Sequence, residues 1–157
     1  MHVNNEMGAI QPIKQAAQII HENSNAMFHI DAIQSFGKLP VRFDDVNGPD
    51  IVSISGHKIH ALKGTGVVAF RKKPMLKPFL VGGGQEVGLR SGTVAVPQAV
   101  AMAKAARLAV EAMPERFASY QKWSAGMSVK LSLAFLDLSI TLTVFTGIKS
   151  LTKLPFL

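Results

Sequence analysis

Ile13, Ala16, Ala17 and Ile20 recur at helical spacing behind Gln11-Pro12, and proline suits the first turn of a helix. This predicts a helix that ends near Glu22-Asn23-Ser24-Asn25. The pattern then changes. Met27-Phe28-His29-Ile30 and the β-branched run Ile51-Val52-Ser53-Ile54 are short and apolar, without clear polar alternation. They read as strands buried on both faces, as in an α/β layered fold. Val67-Val68-Ala69-Phe70, set off by Gly64-Thr65-Gly66, reads as a further strand, and Val41-Arg42-Phe43 as a minor one. Asn47-Gly48-Pro49 is a turn. Residues 82–93 form a glycine-rich loop. An alanine-rich helix follows from Pro97 to about Met113, and Pro114 restarts a second one that reaches about Lys130. Further on, Leu136, Leu138, Ile140, Leu142 and Val144 alternate with Asp137, Ser139, Thr141 and Thr143. That is the period of one half-buried strand, which has to join a sheet edge or another chain.

Composition narrows the picture. The 157 residues suffice for one domain with a fair core, and a hydrophobic content of 48% argues for a folded chain. The net charge is +7, but the cations are scattered apart from Arg71-Lys72-Lys73, which reads as a solvated turn before Pro74. Nucleic-acid binding is therefore not expected. There is no cysteine, which excludes disulfides, zinc-thiolate sites and a thiol nucleophile within this chain. No run of about 18 apolar residues occurs, so no membrane span is expected. The first residues carry no basic-then-apolar signal pattern, which makes the cytoplasm the expected compartment.

Two strand-like runs end in chemistry. The first leads into Asp31-Ala32-Ile33-Gln34, the second into Ser55-Gly56-His57-Lys58. Taken singly, each residue has a plainer role: Lys58 as a surface charge, His57 as a packed or capping histidine, Asp31 as the acceptor of its own turn's amides. Together they bring a carboxylate and an amine to what reads as one edge of one sheet. That pair suits pyridoxal 5'-phosphate, whose aldehyde takes an amine and whose pyridine nitrogen takes an acid. No metal site is suggested.

Four motifs stand in order: Asn4-Asn5-Glu6-x-Gly8, His29-x-Asp31-x-x-Gln34, Ser55-Gly56-His57-Lys58, and Gly82-Gly83-Gly84-Gln85-Glu86-x-Gly88-x-Arg90-Ser91-Gly92-Thr93. This order resembles the cysteine desulfurases of the NifS/IscS-like group, in the class V aminotransferase branch of fold-type I pyridoxal phosphate enzymes. The likeness covers residues 1 to about 110. It implies an α/β fold, part of the fold-type I large domain, with a mostly parallel sheet flanked by helices. The cofactor-binding portion would span residues 1–112. Residues 113–157 would be a helix plus an atypical segment in place of the small domain. The resemblance also implies roles. Lys58 would hold the cofactor and then move protons at the substrate's Cα. Lys63 matches the family's second lysine, which does not hold the cofactor. Asp31 would face the pyridine nitrogen, Gln34 the phenolic oxygen, and Ser55 and His57 the phosphate. Thr93 would reach the phosphate of a neighbouring subunit, so the site would be shared across a homodimer. Asn5 would lie near the substrate carboxylate. The substrate would be L-cysteine, with alanine as product, and the sulfur would pass to an acceptor or iron–sulfur scaffold protein.

The departures matter equally. The family's cofactor-stacking histidine and part of its phosphate cradle precede the position matching Met1. Its persulfide cysteine and a carboxylate-binding arginine lie beyond the helical stretch, where this chain ceases to match. His60-Ala61-Leu62 stands where a Gly-Pro pair is expected before Lys63. A truncated member is the expectation, with two further possibilities: a non-catalytic partner of an intact subunit, or a related C–S lyase, which needs no thiol of its own.

Overall fold

The computed structural model describes the backbone of residues 1–43 and 47–134, and side chains as far as residue 126. Helix α1 (Ile13–Asn23) begins directly after Pro12. It stops where Asn23 and Ser24 turn their side chains back onto the carbonyls of Ile19 and Ile20, at 2.8 and 3.0 Å. Those bonds add a second donor in the last turn, where the Ile20 carbonyl also accepts the Ser24 amide at 2.9 Å. Strands β1 (His29–Asp31), β2 (Ile51–Ser55) and β3 (Gly66–Phe70) follow, then helices α2 (Val96–Glu111) and α3 (Met113–Ala134). The proline-marked restart between the last two helices falls as the sequence predicts.

The three strands form one sheet in the order β1-β2-β3. β1 and β2 are parallel, with Asp31 beside Ser53, while β3 runs antiparallel to β2. The described sheet is thus mixed, with one parallel and one antiparallel pairing. The N-terminal segment lies along the other side of β1, where the His2 amide donates to the Asp31 carbonyl at 2.7 Å.

Burial follows the sequence expectation in part. Ile30 and Val52 are buried in one cluster with Ala32, and Ile13 of α1, Phe28, Val41, Phe43 and Ile54 pack against it. A second cluster joins Ile59 to Met102, Ala105 and Ala109 of α2, again with Ile54 alongside. Both helices therefore cover the face that carries Ile30, Val52 and Ile54. The opposite face carries His29, Asp31, Ser53 and Ser55 together with the buried Ile51, which pairs with His29, because side chains alternate along a strand. The His29 ring and the Ser53 hydroxyl meet there at 2.7 Å. β2 is thus buried on both faces at Ile51 and Val52, and its second face turns polar only toward the carboxyl end. Residues 41–43 form no strand. Pro40 offers no amide there, and Val41 and Phe43 serve the core as packing groups instead. The alternating segment at 136–144 lies outside the described residues.

Among the described residues no helix is long and apolar enough to cross a membrane.

Candidate functional site

β1 and β2 run parallel, so they release their chains at the same sheet edge. Asp31 ends β1 and Ser55 ends β2. In parallel sheets this carboxyl edge is where ligands gather. After Asp31 the chain closes a tight turn, with amides of Ser35 and Phe36 donating to the Ala32 carbonyl and those of Lys38 and Leu39 to the Ser35 carbonyl. Asp31 Oδ1 accepts the Ile33 amide at 2.9 Å. That bond fixes the carboxylate and occupies one oxygen.

After Ser55 the chain forms a 3-10 turn, Gly56–Ile59. Such a turn repeats every three residues, so Gly56 and Ile59 share one side. Both are buried, Ile59 against α2, which leaves His57 and Lys58 exposed between them. The Ser55 hydroxyl and His57 Nδ1 meet at 2.9 Å. Gly56 has no room for a side chain: a Cβ would overlap Thr65 Oγ1 and lie 3.1 Å from both Ala61 Cβ and Met102 Sδ. The Gly56 amide donates to the Thr65 carbonyl at 2.9 Å, tying the turn to the start of β3.

Gln34 lies in the turn after Asp31, half-buried, and its Oε1 accepts from Lys38 Nζ at 3.3 Å. Burial lowers the Lys38 pKa below its ordinary value, with further lowering by the charges of Lys58 and Arg116. Lys38 carries no motif signal. Its one cue in the sequence is the four-residue spacing from Gln34.

The remaining motif residues sit on loops. Asn4 Oδ1 accepts the amides of Glu6 and Met7 at 2.9 and 2.8 Å, so Asn4 builds the turn and the adjacent Asn5 is exposed. In the glycine-rich loop, Gln85 Oε1 accepts the Gly92 amide at 3.0 Å and Ser91 Oγ accepts the Gly84 amide at 3.3 Å. These bonds close the loop on itself and leave Thr93 exposed at its end, just before α2. The motif residues thus separate into Asp31, Gln34, Ser55, His57 and Lys58 at one sheet edge, and Asn5 and Thr93 on flanking loops. A cleft of about 300 Å³, lined among others by His2, Pro12, Ile13 and Val41, contains none of them. No group of His, Asp or Glu among the described residues is arranged to hold a metal ion.

The chain resembles known proteins over most of its length. It is 44% identical over 149 residues to a mitochondrial cysteine desulfurase of Candida maltosa, covering 94% of this chain and 29% of that protein. It is 49% identical over 118 residues to the cysteine desulfurase IscS of Ehrlichia chaffeensis, covering 73% of this chain and 28% of that one. It therefore spans less than a third of the length of these relatives. Among solved structures, a NifS-like protein superposes with a TM-score of 0.77 at 39% identity, over 83% of this chain and 36% of the other. A NifS-like protein from Rickettsia africae gives 0.76 at 31% identity, over 83% and 36%. The family model for aminotransferase class V matches residues 1–132. The chain belongs to the class V aminotransferase family.

Proposed function

We propose that this chain carries the pyridoxal phosphate-binding part of a cysteine desulfurase that acts on L-cysteine. The supporting observation is the exit of Asp31 and the Lys58 turn from the same end of two adjacent parallel strands, beside the polar face of the sheet. The residues fit the cofactor. Asp31, half-buried, has Oδ1 engaged by the Ile33 amide, and its Oδ2 would face the pyridine nitrogen. The Lys58 amine is exposed on a turn that a Cβ at Gly56 would disturb. Ser55 and His57 form a hydroxyl–imidazole pair suited to a phosphate.

When bound, the cofactor supplies an electron-withdrawing ring that stabilises charge at the substrate's Cα. In this reading Asp31 keeps the ring nitrogen protonated, and Gln34 donates to the phenolic oxygen. Lys58 would hold the aldehyde, and its amine would carry the Cα proton. Asn5 orients the substrate carboxylate. Thr93, exposed at the end of the glycine-rich loop, would reach the phosphate of a neighbouring subunit in a dimer, and the sulfur would pass to an acceptor or scaffold protein.

The test is reconstitution. Pyridoxal phosphate added to the chain is expected to give the visible absorbance of a cofactor–lysine linkage, and Lys58→Ala is expected to abolish it. Because Lys58 is exposed, the variant should keep wild-type stability to within about 0.5 kcal/mol. An equal band in the variant removes Lys58 from the role. A second reading makes the chain a non-catalytic partner of an intact subunit, whose site the exposed Thr93 would complete. Alanine formed from cysteine by the chain alone rejects that reading. Pyruvate in place of alanine indicates a C–S lyase.

A further inference from the structure

We infer that Lys38 is a positioning residue, which fixes the carboxamide of Gln34 so that its Nε2 donates to the cofactor's phenolic oxygen. This rests on the reading of the site as a pyridoxal phosphate site. The Lys38 ammonium has three protons to donate and no lone pair, so the Gln34 group that faces it at 3.3 Å is the carbonyl oxygen. With Oε1 so engaged, both Nε2 protons remain for another acceptor. A glutamine without this contact is free to turn its oxygen outward, and an amide oxygen repels a phenolate.

The placement of Lys38 is enforced by the fold. Gly37 beside it holds φ at +72°, and a Cβ there would come within 2.7 Å of Ala109 Cβ on α2. The Lys38 and Leu39 amides are tied to the Ser35 carbonyl. The ammonium is half-buried near the charges of Lys58 and Arg116, which disfavour it there. A cation kept in such a place faces an amide, where an ordinary surface lysine faces water.

The experiment has a cofactor-free arm and a loaded arm. In the cofactor-free chain, the side-chain amide signals of Gln34 are assigned by nitrogen–proton correlation NMR. Lys38→Met is expected to shift both, and Lys38→Arg, which also only donates, to leave them near the wild-type positions. In the loaded arm, pyridoxal phosphate affinity is measured for Lys38→Met, Gln34→Ala and the double variant. Gln34→Ala is expected to weaken binding about tenfold or more, the effect of a lost hydrogen bond to a charged oxygen, and Lys38→Met to weaken it measurably but by no more than that. The double variant should be no weaker than Gln34→Ala. Independent factors that multiply in the double variant overturn the proposal, as do Gln34 amide signals unmoved by Lys38→Met. Should the wild type show no cofactor linkage, the site reading fails and with it the purpose assigned to Gln34. The NMR arm still decides whether Lys38 orients the amide.

Discussion

Gly56→Ala tests how tightly the lysine turn is built. The added methyl would overlap Thr65 Oγ1 and meet Ala61 Cβ and Met102 Sδ at 3.1 Å. The backbone cannot simply retreat, because the Gly56 amide is bonded to the Thr65 carbonyl at 2.9 Å. Thr65 can rotate, but its hydroxyl then gives up the 2.6 Å bond to the Leu62 carbonyl. Overpacking of this kind costs about 1–3 kcal/mol and the lost hydrogen bond about 1 kcal/mol. Alanine recovers about 0.4–1 kcal/mol by restricting the unfolded chain. The net destabilisation is about 2 kcal/mol, or about 4–8 °C in melting temperature for a chain of this size.

The assay is urea unfolding of Gly56→Ala, Thr65→Ala and the double variant. Thr65→Ala removes the colliding oxygen, so Gly56→Ala in that background should cost about 0.5 kcal/mol or less, a coupling expected of residues in contact. Equal cost in both backgrounds would show that the collision is not what excludes a side chain at Gly56. The same variant should weaken cofactor capture, because Lys58 lies two residues along the turn. An unaltered linkage band at wild-type affinity would separate the turn's packing from the site.

Gly37→Ala meets both the left-handed backbone at φ +72° and the 2.7 Å approach of Ala109 Cβ, and should destabilise by about 3 kcal/mol. In an Ala109→Gly background, which carries its own cost of about 1 kcal/mol for a helical glycine, Gly37→Ala should add only the backbone strain of about 1 kcal/mol, which chemical unfolding can resolve. Acid unfolding should depend on Asp50. Burial alone raises its pKa, but the hydrogen bonds from the Phe28 amide and the His21 ring, with the charges of His21 and Arg71, bring it below the ordinary 3.8. The unfolded chain therefore takes up this proton first. The contribution is present above about pH 4 and is lost as the pH falls toward the lowered folded value. Asp50→Asn should flatten stability against pH in that range, and an unchanged acid profile would assign acid sensitivity to other groups.

Much of the fold is legible locally. Pro12, Pro97 and Pro114 mark helix starts, and β-branched runs mark β2 and β3. The polar end of the second face of β1 and β2 is harder to read. Ser53 sits inside an apolar run and His29 beside Phe28, so their side of the sheet emerges only once the parallel register places Asp31 beside Ser53. The supposed strand at Val41-Arg42-Phe43 has the right composition, but strands need a partner, and these residues pack as side chains into the core. The site motifs are local and visible as strings. The Lys38–Gln34 contact is not, because its meaning depends on burial and on the nearness of Lys58, neither of which follows from spacing.

One helix governs both site turns. Met102, Ala105 and Ala109 lie at positions three and four apart, so they form one stripe along α2. At one end of that stripe Ala109 closes on Gly37, next to Lys38; at the other Met102 closes on Gly56 and Ile59, on either side of His57 and Lys58. The alanines keep this face of the helix flat enough for two loops to approach it closely. The separation between the Gln34 turn and the Lys58 turn is thus set by side-chain volume on a helix that contributes no chemistry. A close-packed interior transmits such volume changes as displacement of its neighbours. Stability and site geometry are therefore coupled at Gly37 and Gly56, and variants at these positions should lose cofactor affinity in step with their unfolding free energy, whereas Lys58→Ala loses the cofactor and keeps the fold.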